Sequence, residues 1–161
     1  MKTESTTLME KLNALLDSLE KEIPNQQVLI PAVSQGSVGW HIEHCLLTIT
    51  GIMDALHKSN PANYKWRPNL KRFIIHTIGI FPRGKVKAPA SIQPAAGFNA
   101  ASLQIHLDVA REKLKTLNGL DPNHYFKHPL FDNLNVKPTI RFLQIHTHHH
   151  LKIIKDIMKH T

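Results

Sequence analysis

Residues 138–158, PTIRFLQIHTHHHLKIIKDIM, form the stretch that decides the fold. Apolar residues recur there at intervals of three and four, which predicts a helix that starts after Pro138 and runs almost to the C-terminus. The apolar face of this helix carries Ile140, Leu143, Leu151, Ile154, Ile157 and Met158. Histidines interrupt the same stretch, so the helix that builds the core also carries the most unusual side chains of the sequence.

The four histidines of this helix divide into two pairs. Measured from Ile154, His150 lies near about −40° and His146 near about −80°, on or beside the apolar face, at 100° per residue. His148 and His149 lie near about 120° and −140° and are expected to face solvent. A pair of imidazoles four residues apart on one face can chelate a single metal ion. A hydrogen-bonded pair and a surface cluster are the alternatives. The metal pair is favoured because buried imidazoles need partners and repel each other when charged.

The residue that follows the first histidine argues against one class of enzyme. Zinc proteases with the HExxH motif carry a glutamate base there, and Thr147 occupies that place here. Thr147 lies at the centre of the apolar face, where it would line a pocket or bond back to a helix carbonyl.

Three further long segments have helical periodicity. They cover residues 5–22, 37–58 and 99–118, with Ser37 as a predicted N-cap and Gly119 as a predicted stop. A shorter helix is predicted at 69–80, inside the long connection between the second and third of the long helices, and 121–137 is predicted to be a folded loop. No segment alternates with period two, so β structure is expected to be minor at most. The prediction is an all-α fold, a four-helix bundle in a single domain over residues 1–161.

A metal site needs a third ligand from another helix, and the second helix offers His41 and His44. Helical geometry alone leaves these two candidates even. His106, near the apolar face of the third long helix, is a further candidate, although a hydrogen-bonded core histidine is the commoner situation.

The sequence around these histidines resembles the DinB/YfiT-like superfamily of metalloenzymes. The similarity lies in SVGWHIEHCLLTI (37–49), in HPLF (128–131) and in HTHHH (146–150), and it is closest to a DinB-like branch of proteins of unknown function. It covers the order of elements over most of the chain, with sharp motifs in the second and last long helices. One departure is Asp132, because that branch usually has glycine at this place.

The resemblance implies a four-helix bundle with three metal ligands, which fall on His44, His146 and His150. It also implies a metal-dependent hydrolase or a thiol-dependent transferase that acts on a small molecule or a low-molecular-weight thiol. The alternative is a non-catalytic bundle that binds metal or a small ligand. Histidine ligands suit zinc, nickel, copper and iron; we expect zinc or nickel, with iron as the next candidate.

Acid, base and nucleophile are harder to name. Glu43 and Asp108 lie off the apolar faces of their helices and are expected to be exposed. Cys45 lies on the main apolar stripe and is expected to be a small buried hydrophobe. The catalytic residues therefore remain unassigned.

The composition excludes several classes of protein. The chain of 161 residues is 42% hydrophobic, which argues against general disorder, and no apolar run approaches the length of a membrane span. The N-terminus shows no secretory signal, and one cysteine excludes an internal disulfide, so a cytoplasmic location is expected.

The net charge of +8 comes mostly from one segment. Residues 60–93 hold seven Lys or Arg and no acid: Lys65, Arg67, Lys71, Arg72, Arg83, Lys85 and Lys87. A solvated basic connection is the simplest interpretation, and attraction of an anionic small molecule is the functional one. No nucleic-acid or membrane partner is expected, and a homodimer is compatible with a helical bundle.

Overall fold

A computed structural model describes the backbone of residues 2–81, 92–95 and 97–161, and their side chains from residue 7 onward. Within these ranges the chain forms five α-helices and two β-strands. The helices are α1 (Lys2–Lys21), α2 (Val38–Lys58), α3 (Leu70–Ile78), α4 (Ala100–Lys115) and α5 (Val136–Met158). The strands are β1 (Tyr125–His128) and β2 (Asp132–Asn135). Single 3-10 turns lie at Ile23–Asn25, Pro61–Asn63 and Thr116–Gly119. The protein is therefore mostly helical, as predicted.

Local capping explains where the helices begin and end. The Ser37 hydroxyl accepts a hydrogen bond from the backbone N–H of Trp40, so the predicted N-cap of α2 is confirmed. Asn99 and Ser102 form a reciprocal capping box at the start of α4. That helix ends at Lys115 rather than near residue 118, because its last turn tightens into the 3-10 turn before Gly119.

Helix α5 starts three residues earlier than the periodicity suggests. Its N-cap is Asn135 and its first residue is Val136, so Pro138 falls inside the first turn. A proline there removes no helical hydrogen bond, since the first N–H groups of a helix lack intrahelical partners.

The four long helices pack in a ring, in which α1 contacts α4 and α5, and α2 also contacts α4 and α5. The stripes predicted for α2 and α4 are buried throughout, including Cys45 in α2 and Leu107 in α4. Helix α3 lies outside the ring, against α5. None of the described helices is both long and apolar enough to cross a bilayer.

The all-α prediction missed a small antiparallel hairpin. Strands β1 and β2 pair with Phe126 opposite Leu134 and with His128 opposite Asp132, inside the segment predicted to be a folded loop. Four residues per strand are too few to display an alternating pattern. Phe126 and Leu134 are both buried, so the hairpin closes over the core, where its strands contact α2 and α5.

Candidate metal centre

Three histidines from two helices meet in one cluster. His44 of α2 lies beside His146 and His150 of α5, and one ring nitrogen of each lies within 4.8 Å of the others. The ring centroids are 4.7 to 5.0 Å apart. These are the three residues that the sequence resemblance indicated. Helix α2 packs against α5 along the ring, which brings residues about a hundred positions apart into contact.

The helical geometry of α5 is confirmed for three of its four histidines. His150 is buried and His146 is half-buried, whereas His148 is exposed. His149 departs from the prediction because it is half-buried, with its ring 6.1 Å from that of Phe81. The connection after α3 supplies that phenylalanine, and the helical wheel contains no information about it.

His44 is oriented by the protein backbone. Its Nδ1–H donates a hydrogen bond to the carbonyl oxygen of Ile92 at 2.6 Å. This bond fixes the tautomer, so Nε2 carries the lone pair, and Nε2 lies 3.1 Å from Nε2 of His146. The indole ring of Trp40 stacks on the other face of His44, with centroids 5.2 Å apart and planes 9° apart. His44 is therefore held with one nitrogen available to a ligand.

His41 lies behind the cluster rather than in it. Its Nδ1 is 2.9 Å from Nδ1 of His150, and its Nε2 is 2.9 Å from the hydroxyl of Ser34. Helical geometry alone did not distinguish His41 from His44 as the third candidate ligand. In the structure His44 belongs to the cluster, and His41 contacts His150 from outside it. Because Nδ1 of His150 contacts His41, Nε2 is the nitrogen of His150 that is available to a ligand in the cluster.

Two polar atoms near the cluster are buried without a partner. Within the described part of the chain, Nδ1 of His146 and the hydroxyl oxygen of Thr147 have no hydrogen bond. The Thr147 hydroxyl does not bond back to a helix carbonyl, which leaves the pocket-lining alternative. The ring of His146 stacks on Phe142, with centroids 5.7 Å apart. Buried polar atoms are usually satisfied, so these two atoms are exceptions beside the cluster.

Burial keeps the three imidazoles neutral. Removal from water lowers the pKa of His44, although the bond to the Ile92 carbonyl opposes that shift. Burial also holds the pKa of His146 and of His150 well below the usual value, and the neighbouring histidines add to the effect. Neutral imidazole is the form that ligates metals.

The cluster fits a divalent ion. Ligand nitrogens about 2.1 Å from a tetrahedral ion lie about 3.4 Å apart, close to the 3.1 Å between Nε2 of His44 and Nε2 of His146. Two of the three rings already give their second nitrogen to another group, as metal-bound histidines usually do. Three histidines close together are thus able to hold a metal ion and leave a position open.

The remaining sequence candidates have other partners. Glu43 is half-buried rather than exposed, because its carboxylate contacts Nδ1 of His106 at 3.0 Å. Nε2 of His106 is 3.3 Å from the hydroxyl of Thr50, so His106 is a hydrogen-bonded core histidine as expected. Cys45 is fully buried, which raises the pKa of its thiol and keeps it protonated. Asp108 is exposed, as predicted.

A second group of packed aromatic residues was not predicted. His128 stacks on Phe131 with centroids 4.4 Å apart, and its Nδ1 accepts bonds from the backbone N–H groups of Leu130 and Phe131. His76 lies 6.0 Å from Phe131, centroid to centroid. The sequence signal was the HPLF motif, which was noted for its resemblance and not for its packing.

Part of the basic segment lies in the described ranges. Lys65, Arg67 and Lys71 are exposed, whereas the Arg72 guanidinium donates to the backbone carbonyls of Arg67, Phe131 and Asn133. Arg83, Lys85 and Lys87 lie outside the described residues.

Comparison with known proteins gives one partial similarity. Over 78 residues the chain is 36% identical to a protein of Bacillus subtilis (strain 168) named Uncharacterized protein YuaE. The match covers 45% of this chain and 48% of that protein, so the chain spans about half the length of the relative it matches. No family model matches the chain, and no solved structure does.

Proposed function

We propose that this protein is a DinB-like helical bundle that binds one divalent metal ion, zinc or nickel, through His44, His146 and His150. The main support for this proposal is that three neutral imidazoles converge, with one ring nitrogen of each within 4.8 Å of the others. The backbone carbonyl of Ile92 and the ring of His41 hold the outer nitrogens of two of them. Such preorganisation lowers the cost of assembling the site around an ion.

We further propose that the metal serves catalysis. When bound, a divalent ion with three histidine ligands lowers the pKa of a ligated thiol or water and polarises carbonyl groups. The protein supplies no negative ligand in this set, so an anionic fourth ligand is favoured by the remaining positive charge. A low-molecular-weight thiol, which a bound divalent ion would hold as its thiolate, matches that requirement.

The acid–base groups favour thiol transfer over hydrolysis. A hydrolase of this kind uses a nearby general base, and no carboxylate belongs to the cluster in the described residues. Glu43, the acid next to His44 in sequence, is paired with His106 instead. A bound ion would lower the pKa of a ligated thiol enough for its proton to pass to solvent, so thiol transfer would need no separate base of this kind.

A non-catalytic role in metal or small-ligand binding is the second candidate, and the same pairing of Glu43 favours it. The two candidates differ in one assay. An enzyme would conjugate a small thiol to an electrophile only when metal is present, and a binding protein would take up the metal without turnover.

Metal analysis of protein purified without a polyhistidine tag tests the site. We expect about one zinc or nickel per chain in the wild type and in His148→Ala, because His148 is exposed on the other side of α5. We expect strong loss of metal in His44→Ala, His146→Ala and His150→Ala. Equal loss in His148→Ala and His150→Ala would show that the metal binds elsewhere, and a wild type that takes up no ion would rule out the proposal.

A further inference from the structure

Helix α3 exposes the face that a surface helix normally buries. Its apolar stripe is Leu70, Phe73, Ile74 and Ile78, at the spacing of one helical face. In the ring of long helices such stripes face the core, as they do in most globular proteins. Here Leu70, Phe73 and Ile78 are 61 to 73% exposed, while Ile75 and His76 of the same helix are half-buried. The side turned toward the fold is therefore not the most apolar one.

The exposed apolar residues of the molecule concentrate in this region. Among the described residues, ten large hydrophobic side chains are exposed, and six of them lie in the fifteen residues from 66 to 80. They are Trp66, Leu70, Phe73, Ile74, Ile78 and Ile80. Exposed apolar side chains scattered singly need no explanation, but a contiguous patch marks an interaction surface.

The charges beside the patch are mostly positive. Lys65, Arg67 and Lys71 are exposed next to the apolar stripe, and the sequence contains no acid between residues 60 and 93. Lys65 and Arg67 line a groove of about 450 Å³ together with Lys127 and the half-buried Asp132, so three of its four charged residues are basic. Trp66 and Leu70 line a neighbouring apolar groove of about 600 Å³. An apolar surface with a basic rim is complementary to an anionic, apolar partner.

We propose that the face formed by Trp66, α3 and Ile80 docks on an anionic lipid surface, with α3 parallel to the membrane plane. In this arrangement Phe73 and Ile78 enter the boundary between headgroups and acyl chains. Lys65, Arg67 and Lys71 contact lipid phosphates, and Trp66 lies at headgroup depth, which its amphipathic ring favours. The protein then binds at the membrane surface and does not span it. The sequence predicted no membrane partner because periodicity does not disclose which face of a short helix is covered.

A second copy of the chain is the less suitable occupant. Nine helical residues are about 14 Å long and about 10 Å wide, a footprint of roughly 140 Å². A stable protein interface buries about 800 Å² on each partner. A two-fold contact through this face would also place its lysines and arginines opposite those of the second copy. A bilayer needs no such area, because burial of a few large side chains adds to attraction by several cations.

Vesicle flotation with the full chain tests the proposal. We expect the wild type to float with vesicles that contain both phosphatidylcholine and phosphatidylserine. It should not float with vesicles of phosphatidylcholine alone, and added salt should release the protein from the anionic vesicles. Phe73→Ser should weaken binding about tenfold through lost apolar burial. Lys71→Ala should weaken it about fivefold through lost charge. The matched control is Ile105→Ser, since Ile105 is 66% exposed on α4 and Phe73 is 68% exposed on α3.

Several outcomes would overturn the proposal. Equal binding to both kinds of vesicle would show that binding does not depend on anionic lipid. An equal loss of binding in Phe73→Ser and Ile105→Ser would show that the α3 face is not the docking surface. Light scattering tests the alternative that a second copy of the chain covers this face. If the wild type is a dimer that ignores vesicles and Phe73→Ser is a monomer, the face is a dimer interface. The assay needs no bound metal, so it stands apart from the test of the metal site.

Discussion

A metal-binding imidazole depends on what its second nitrogen contacts, and the three rings of the cluster differ in this respect. His44 donates to a backbone carbonyl, whose position is set by the chain around Ile92. His150 contacts another imidazole, that of His41, which in turn contacts the Ser34 hydroxyl. A backbone carbonyl can only accept hydrogen bonds, whereas an imidazole can accept at one nitrogen and donate at the other. The orientation of His150 therefore depends on the side chain of His41, which a point mutation can remove.

The first prediction concerns His41. His41→Ala should lower zinc affinity about 10- to 100-fold, because His150 loses the acceptor that orients its ring. Competition with a chromophoric chelator would measure the affinity. His41→Asn, whose amide oxygen can replace Nδ1 as an acceptor, should recover part of the loss. An affinity unchanged in His41→Ala would show that the contact has no role in metal binding.

Asp132 carries the second prediction. Its φ of 60° lies in the left-handed region, at the first residue of β2. The DinB-like branch that the sequence resembles usually has glycine at this place. A residue with a Cβ is strained there by roughly 1 kcal/mol, although aspartate tolerates it better than most. Asp132→Gly should raise the free energy of unfolding by about 0.5 kcal/mol, and Asp132→Ala should lower it. Urea unfolding would measure both, and opposite signs would contradict the assignment of strain.

At the scale of elements, the sequence was sufficient where a helix has a long stripe and a cap. The stripe of α2 and its cap Ser37 predicted both the helix and its buried face. The β1–β2 hairpin was not predictable in this way, because its strands are short and its pairing of Phe126 with Leu134 depends on the core beneath. The outward orientation of the apolar stripe of α3 was not predicted for a related reason. Periodicity shows which residues share a helix face, but not whether another element packs on that face.

The third prediction uses the two glycines of α2. A Cβ on Gly39 would lie 2.5 Å from Cε2 of Phe98 and 2.9 Å from the carbonyl oxygen of Gln26, whereas a Cβ on Gly51 would contact nothing within 4 Å. Helix propensity favours alanine over glycine by up to about 1 kcal/mol. Gly51→Ala should show that gain. Gly39→Ala should instead lose about 1–3 kcal/mol, because the backbone of residue 26 has to move.

Thermal or urea unfolding of the two glycine variants provides the comparison, and each serves as the control for the other. Both substitutions change the unfolded chain in the same way, so their difference reports the native contact. A gain of similar size in both variants would mean that the loop around Gln26 adapts to an added methyl group without cost.

At the scale of the whole molecule, the cluster connects helices that are distant in sequence. Its ligands lie on α2 and α5, two neighbours in the ring of long helices. Sequence geometry selected His146 and His150 because they lie on one face of one helix. It left His41 and His44 even, because the rotation of α2 relative to α5 depends on packing. The resemblance to a known superfamily indicated His44, and the contact between the two helices places His44 in the cluster.

The fourth prediction follows from that connection. Zinc or nickel should raise the free energy of unfolding by about 2.7 kcal/mol at a free concentration of 100 times the dissociation constant, since the unfolded chain does not hold the three ligands together. Differential scanning calorimetry with and without a chelator would measure the increase. His150→Ala should show little of it. An equal increase in that variant would mean that the stabilising ion is bound at another place.

The fifth prediction concerns acid lability of the metal-free protein. Burial lowers the pKa of His128 to about 4, and the charge of His76 acts in the same direction. The folded protein therefore holds His128 neutral, while the unfolded chain protonates it near its ordinary pKa of about 6.5. This contribution to stability is fully present above pH 6.5 and is lost as the pH falls toward 4.

Comparison of the wild type with His128→Asn isolates this contribution. The Asn side chain offers an oxygen in place of Nδ1 to the backbone N–H groups of Leu130 and Phe131, and it does not titrate. Urea unfolding in the presence of a chelator at pH 7 and pH 5 should show that the wild type loses about 1 kcal/mol more than the variant. Parallel losses would place the acid-sensitive groups elsewhere, among the cluster histidines whose pKa burial also lowers. Because His128 contacts Phe142 edge to face and Phe142 stacks on His146, the result also shows whether the hairpin and the cluster respond to acid as one unit.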